Sequence, residues 1–395
     1  MELYNLLFGC EPENTDEMFY NGNAELDADK HLNIKSNNTV SFETYFNLFS
    51  YAKYRKYCNI QKFRVRLYGK GNFRADFYCR TKKKSAQHID TVEFTDTLDF
   101  DLDISALPEI GYVYFTLTAL NDAILFSGKY GADIKTPNVV KIGLVICTYK
   151  RETFVTDNLN RLLAGISAEP KWGERLHVYV IDNAKTLNLP QSPFYTVVPN
   201  PNLGGSGGFT RGITEVRKDS SFTHFLLMDD DIHFEFETLK RTFHLLEALD
   251  SEYKNSTVGG AMLYLDKPTV QHEFGGYFTG MKYQAVNSRL DMSVTENLIA
   301  NEGDSKANYN AWWYTCMPVE TVQKYGLPLP LFIKGDDVEY GIRCIENLIL
   351  MSGIAVWHQD FTLKYNGTLE YYTKRNELVV AAIHSRLSKW KQGMK

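Results

Sequence analysis

The sequence predicts an α/β protein: a doubly wound, mostly parallel sheet preceded by an antiparallel β-sandwich. Three observations carry this. Residues 1–135 hold short segments rich in aromatic and β-branched residues, several alternating with period two. From Val139 onward the pattern changes to nearly continuous apolar runs, each ending in polar residues and followed by apolar positions at helical spacing. The length, 395 residues, exceeds one ordinary domain. The expected division is a sandwich over 1–135, the α/β unit over 136–376 and a basic helix over 377–395.

In the first unit the expected strands are Gln61–Tyr68, Phe73–Cys79, Thr91–Phe94, Phe100–Ile104 and Tyr112–Leu120. Asp99-Phe100-Asp101-Leu102-Asp103 reads as a strand with one wet face rather than a metal motif. Nothing here looks catalytic, so the unit is expected to be structural or to help bind an acceptor. After Pro137, Val139–Cys147 reads as a buried strand running into Thr148-Tyr149-Lys150-Arg151. A helix carrying Val155, Leu159, Leu162, Leu163 and Ile166 follows, then a strand from Leu176 that ends in Asp182-Asn183. Such sheets bind ligands at the carboxyl ends of their strands.

Composition excludes several classes. Hydrophobic content of 44% and charged content of 23% are ordinary for a folded protein. A net charge of −5 argues against nucleic acid as the main partner. Six cysteines without a CxxC pair favour reduced thiols over a disulfide framework or a zinc site. The N-terminus reads as lacking a signal peptide, and no run of about 18 apolar residues suggests a spanning helix.

The chemistry gathers around Phe225-Leu226-Leu227-Met228-Asp229-Asp230-Asp231. Three carboxylates at the end of a buried strand repel one another, and a hard divalent cation would cancel the repulsion. The other reading is a solvated acidic turn. Ahead of it, Asn202-Leu203-Gly204-Gly205-Ser206-Gly207-Gly208 reads as a loop whose backbone could approach phosphate. Ala311-Trp312-Trp313-Tyr314 reads as a strand that would turn one indole toward the cleft. Phe332-Ile333-Lys334-Gly335-Asp336-Asp337-Val338-Glu339 reads as apolar strand, glycine, acid pair and helix, with either a cap or a general base at the pair. His358, after Ala355-Val356-Trp357, fits a metal ligand. The basic stretch from Lys374 onward has an apolar side through Leu378, Val379, Ala382, Leu387 and Trp390, which suits either solvent or a membrane surface.

In this order the motifs CTYKR, IDN, NLGGSGGF, MDDDI, WWY, KGDDVE, WH and YYTKRN resemble the inverting family-2 glycosyltransferases of GT-A fold. Within that group the chain is most similar to the bacterial galactofuranosyltransferases, which also carry an N-terminal β-sandwich. The resemblance implies transfer of galactofuranose from UDP-galactofuranose to a hydroxyl of a bacterial surface glycan, free or polyprenyl-linked, at the inner face of the cytoplasmic membrane. It implies that Asp229, Asp231 and His358 hold Mn²⁺ or Mg²⁺ and that Asp337 is the catalytic base. Asp336 and Glu339 would then meet substrate, and Trp312 and Trp313 would line the acceptor side. Arg151, Asp182 and Asn202 would hold the uridine, Asp230 the donor, and Gly204 and Gly205 the glycine loop beside it. The chain departs from the polymerising members by lacking their long C-terminal helical region, so polymerisation and tetramer formation do not carry over, although a homo-oligomer and peripheral membrane contact remain expectations. The alternatives are transfer of rhamnose or galactopyranose, or a non-catalytic carbohydrate-binding relative.

Overall fold

The computed structural model describes residues 1–395 apart from 14, 83–84, 281, 361–366 and 385–395. Its first half is one antiparallel sheet of nine strands. These are β1 (Glu2–Asn5), β2 (Asn21–Gly22), β3 (Glu25–Leu26), β4 (Leu32–Ile34), β5 (Thr39–Ser41), β6 (Lys62–Arg80), β7 (Gln87–Asp103), β8 (Tyr112–Ala119) and β9 (Ala123–Gly131), with helix α1 (Tyr51–Cys58) before β6. The long strand β6 serves two halves of the sheet: residues 64–70 pair with β9, and residues 73–80 pair with β8. Register shifts after Tyr68 mark the change of partner. Gly71 sits there at φ +125°, and a Cβ on it would lie 2.6 Å from that of Ala123.

Period-two alternation sets the two faces of β6. Phe63, Val65 and Leu67 are buried, while Arg64 and Arg66 stand outside opposite Asp101 and Asp99 of β7. Arg64 Nε lies 2.7 Å from Asp101, and Arg66 Nε lies 3.0 Å from Asp99. The alternating aspartates of β7 are therefore the wet face of a strand, as their spacing suggested.

The second half follows the doubly wound plan. Strands β10 (Ile142–Thr148), β11 (Leu176–Asp182), β12 (Tyr195–Pro199) and β13 (His224–Asp229) are mutually parallel in the order β12-β11-β10-β13. Helices α2 (Glu152–Ala168) and α3 (Gly204–Val216) connect them. The strands bury both faces: Leu144 and Ile146 of β10 join one core cluster with α2, and Val145 joins another with α3. After β14 (Ile232–His233) and α4 (Phe236–Ala248), the sheet becomes mixed through β15 (Thr257–Tyr264), β16 (Val270–Glu273), β19 (Leu290–Asp291), β20 (Thr315–Pro318) and β21 (Leu348–His358). A separate hairpin is formed by β17 (Gly276–Phe278) and β18 (Tyr283–Ala285). Short helices α5 (Thr295–Leu298) and α6 (Glu320–Tyr325) precede α7 (Asp336–Cys344), and α8 (Gly367–His384) closes the described chain. Leu387 and Trp390, expected on the basic helix, lie outside the described residues.

Two expected strands are instead irregular. Trp312 and Trp313 lie in a turn before β20. Phe332-Ile333-Lys334 forms a loop in which Phe332 and Lys334 adopt φ of 74° and 67°, values no strand contains. Among the described residues, no helix is long and apolar enough to cross a membrane.

Candidate active site

The site is built on the carboxyl edge of the parallel strands. Cys147 pairs with Asp229, and Thr148 with Asp182, so the polar ends of β10, β11 and β13 fall in one row. Phe225, Leu226, Leu227 and Met228 are fully buried, and the chain turns as soon as the carboxylates begin. β14 then pairs antiparallel with the end of β21, Ile232 opposite His358, which brings the histidine beside the acidic turn.

Ligand atoms of Asp229, Asp231 and His358 lie within 4.8 Å of one another. His358 Nε2 is 3.2 Å from Asp231 Oδ1, and its Nδ1 is 2.5 Å from the Gln359 carbonyl. A carbonyl can only accept, so Nδ1 carries a proton, and Nε2 is the ring nitrogen turned toward the carboxylates. The backbone carbonyl thus orients the ring with Nε2 in the ligand cluster. The donor set, two carboxylates and one imidazole, fits a divalent metal.

The middle carboxylate points elsewhere. Arg151 Nη1 lies 2.8 Å from Asp230 Oδ1 and 2.9 Å from Asp231 Oδ2. Burial pushes Asp230 up to about 6 against the opposing pull of Arg151. Arg151, expected at the uridine, is thus placed on the acidic turn. Asp182 organises its own loop: its two oxygens accept the N–H groups of Ala184, Lys185 and Leu187 at 2.8–3.0 Å. Asn202 is exposed and its Oδ1 accepts the Gly204 N–H.

The glycine run is the first turns of α3 rather than a loop. A Cβ on Gly208 would lie 2.0 Å from Cys147 Sγ, and one on Gly212 would lie 2.1 Å from Val145. These glycines let the helix sit close on β10. Gly204, at φ +72°, lies under the Phe332 carbonyl, where a Cβ would be 2.0 Å away. Gly205 alone faces the acids, 3.7 Å from Asp336 to the position of a Cβ.

The second acid cluster starts α7. Burial pushes Asp336 up to about 8, and the charge of Asp337 adds to it. Burial likewise raises Asp337, whose Oδ1 accepts the Val338 N–H at 2.8 Å. The charge of Asp229 contributes to raising Asp336, so the two acid clusters share one cleft. Glu339 does not join them. Its buried carboxylate meets Arg343 at 2.7 and 2.9 Å and His384 at 3.2 Å, one helical turn away and across to α8. The expected substrate contact of Glu339 is therefore corrected to a structural ion pair. Both indoles are 5% exposed: Trp312 packs edge-on against Phe209 and Tyr340, and Trp313 donates to the Gly260 carbonyl at 3.1 Å. They lie in different core clusters, and neither offers an open ring face.

Sequence reasoning missed two features. Glu273, at the end of β16, is buried, and burial with the charge of Asp337 pushes it up to about 8. Its Oε1 has no hydrogen-bond partner among the described residues. Asn376 of α8, fully buried, directs Nδ2 at the carbonyls of Leu331, Ile333 and Lys334, at 3.1, 2.9 and 2.7 Å. It holds the loop that leads into Asp336 and Asp337. A lone glutamate in Gln271-His272-Glu273 and an asparagine in a basic stretch carry no local signal for either role.

Comparison with known proteins agrees with the motifs. Residues 12–133 match the family described as Galactofuranosyltransferase 2 N-terminal. The chain is 29% identical to galactofuranosyltransferase GlfT2 of Mycobacterium tuberculosis over 393 residues, and 26% identical to that of Mycolicibacterium smegmatis over 387. Each match covers 89% of this chain but only 60% and 59% of the relative, so the chain spans about three fifths of their length. Among solved structures, a mannosyltransferase from Pyrobaculum calidifontis matches with a TM-score of 0.36 at 12% identity, covering 57% of this chain and 59% of that one. Mannosyl-3-phosphoglycerate synthase from Rubrobacter xylanophilus matches with the same score at 13% identity, covering 60% and 73%. The resemblance read from the ordered motifs is borne out by the family match and the mycobacterial relatives.

Proposed function

We propose that this chain, similar to the galactofuranosyltransferases over nine tenths of its length, transfers galactofuranose from UDP-galactofuranose to a hydroxyl of a bacterial surface glycan, with inversion and with a divalent metal. In this reading residues 136–376 are the catalytic unit and 1–135 an accessory unit. The observation that carries it is the pairing of a metal-type ligand set with a separate buried acid pair on one sheet edge.

Asp229, Asp231 and His358 would hold the metal, which when bound supplies positive charge for a departing diphosphate. The chain's own groups do the rest. Arg151 fixes the acidic turn and keeps Asp230 facing inward. Asp336 and Asp337 lie side by side in a site that disfavours charge, so the pair retains a proton that isolated carboxyls would have lost. Asp337 is the less buried member, and one of its oxygens is occupied by the Val338 N–H. Its other oxygen is the candidate to take the proton of the acceptor hydroxyl as that oxygen attacks the anomeric carbon. Burial before attack raises proton affinity, which suits a base.

Incubation with UDP-galactofuranose and a short galactoside acceptor tests the donor. UDP release with a new glycosidic linkage is expected, with little turnover of UDP-galactopyranose; the reverse preference would overturn the donor. EDTA should abolish transfer and Mn²⁺ or Mg²⁺ restore it, and full activity in chelator would overturn the metal.

A peripheral membrane contact through the C-terminal stretch is part of the same proposal. Tyr371, Leu378 and Ile383 of α8 are half or more exposed beside Lys374 and Arg375. Co-sedimentation with anionic vesicles that is lost in Leu378→Glu would support it.

A further inference from the structure

The hairpin β17–β18 has two different faces. In its register Phe278 lies opposite Tyr283, and Tyr277 opposite Gln284. The first pair packs inward, with ring centroids 5.6 Å apart, in a cluster with Val338 of α7. Tyr283 Oη there lies 3.1 Å from the position of a Cβ on Gly335, next to the acid pair. The second pair faces the opposite way and lines a cavity of about 320 Å³. Phe274, Asn287, Ser305 and Lys306 complete the lining that matters here.

The floor of this cavity is rigid. Asn287 Nδ2 donates to the Ala300 carbonyl at 2.8 Å and to Asn301 Oδ1 at 3.1 Å. Asn301 Nδ2 donates to Gln271 Oε1 at 2.8 Å, and Gln271 Nε2 donates to the Asn287 carbonyl at 2.7 Å. Gln271 is two residues before Glu273 on β16, a rise of about 7 Å, so the amide network behind the cavity and the glutamate that feels Asp337 lie on one strand. The N-terminal unit supplies part of the rim: Lys56 pairs with Asp304 at 3.0 Å, and the Lys82 ammonium lies 3.9 Å from the position of a Cβ on Gly303.

We infer that this cavity is a subsite for the trailing sugars of the glycan acceptor, an inference that rests on the transferase reading above. A tyrosine ring, amides, a hydroxyl and an ammonium over a fixed floor are the groups that take a sugar, with the ring on its C–H face and the polar groups on its hydroxyls. The volume is at the lower end of small-molecule sites and takes a short stretch of saccharide. Among the described residues β18 is paired with no strand other than β17, and Gln284 and Ala285 on it are exposed, so a glycan with its terminal hydroxyl at Asp337 crosses this strand to reach the cavity. The outer face of the hairpin then contacts the sugars behind the terminal one, while its inner face stays packed against α7.

The test compares β-galactofuranosyl disaccharide and tetrasaccharide acceptors on the full chain. Tyr277→Ala and Gln284→Ala should raise KM for the tetrasaccharide about tenfold, while kcat and KM for the disaccharide stay within about twofold of the unmodified chain. Tyr277→Phe, which keeps the ring, should behave as the unmodified chain. Equal effects on both acceptors, or none on either, would overturn the subsite. Gln284 is exposed, so its variant tests the proposal even if Tyr277→Ala does not fold. Tetrasaccharide binding to Asp337→Asn without donor, followed by NMR, should be weakened by the same two changes. If the unmodified chain transfers nothing to either acceptor, the transferase reading fails, and this binding measurement alone decides the subsite.

Discussion

Asp337, partly buried, and Glu273, buried, are acids with different tasks, and single substitutions separate them. If Asp337 takes the acceptor proton, Asp337→Asn should lower kcat by about 100-fold or more and leave UDP affinity within about twofold, because general-base catalysis contributes on that scale. Near-normal turnover measured by UDP release would remove Asp337 from the role. Glu273 is held above its ordinary value, at about 8, chiefly by burial. A raised folded-state value means that the folded protein holds a proton the unfolded chain has released. The associated stability is complete below about pH 4.5 and is lost as pH rises through about 8. Glu273→Gln stays neutral throughout. The unmodified chain should therefore lose melting temperature relative to Glu273→Gln between pH 5 and 8, and parallel curves would count against the buried neutral acid. The sequence announced Asp337 through its place in an acidic cluster beyond a glycine. It did not announce Glu273, because what raises this acid is the tertiary burial of β16 and the approach of α7.

At the level of elements, the strands and the polar ends that form the site were legible, since buried parallel strands read as apolar runs and charge begins where burial stops. The connections were less so. Glycine weakens helices, so four glycines in five residues read as a loop. Close packing against Cys147 and Val145 outweighs that propensity and makes the run a helix. The segment before Gly335 reads as a strand from composition, yet Asn376, 42 to 45 residues later, bends it into a loop with two non-glycine residues at positive φ. Such strained backbone persists only where its surroundings hold it. Asn376→Ala removes a donor from the Ile333 and Lys334 carbonyls and from that of Leu331, which keeps the Ile333 N–H, a loss of about 1–3 kcal/mol, and frees the loop that sets the direction of Asp336 and Asp337. Transfer should fall by about tenfold in kcat, with metal and UDP affinity unchanged because Asp229, Asp231 and His358 are on other elements. A fall in UDP affinity of the same size, seen by calorimetry, would show that α8 supports the donor side instead.

At the scale of the whole molecule, the N-terminal sheet is fixed to the second one. One hydrophobic cluster runs through both halves, and Phe46 of the first packs 5.5 Å from Trp357, the residue before His358. Polar contacts bind the same junction. Arg241 of α4, 3% exposed, donates to the carbonyls of Asn5, Phe46 and Gly353 at 2.9, 2.8 and 3.2 Å and stacks 4.4 Å over the Tyr4 ring. Glu237, one turn earlier, accepts the backbone and side-chain N–H groups of Asn5 at 2.7 and 3.0 Å. Lys53 reaches across to the Leu350 carbonyl at 2.6 Å. Gly353 and Leu350 both belong to β21, the strand that ends in His358, so the N-terminal unit holds the far end of the strand that carries this candidate ligand. Removing Arg241 takes the donor from three carbonyls, while Glu237 keeps Lys240 at 3.1 Å and the Asn5 N–H groups, so the cost is that of the stranded carbonyls, about 1–3 kcal/mol. Arg241→Ala should therefore lower the unfolding free energy by that amount. Because β1, α4 and β21 meet at this one side chain, the loss should also loosen His358, so that metal affinity drops along with stability. Arg241→Lys keeps a cation but cannot reach three carbonyls in one plane, and it should fall between the two. Equilibrium unfolding with metal titration checks both readouts: a stability loss with metal affinity unchanged would mean that the junction supports the fold without supporting the site.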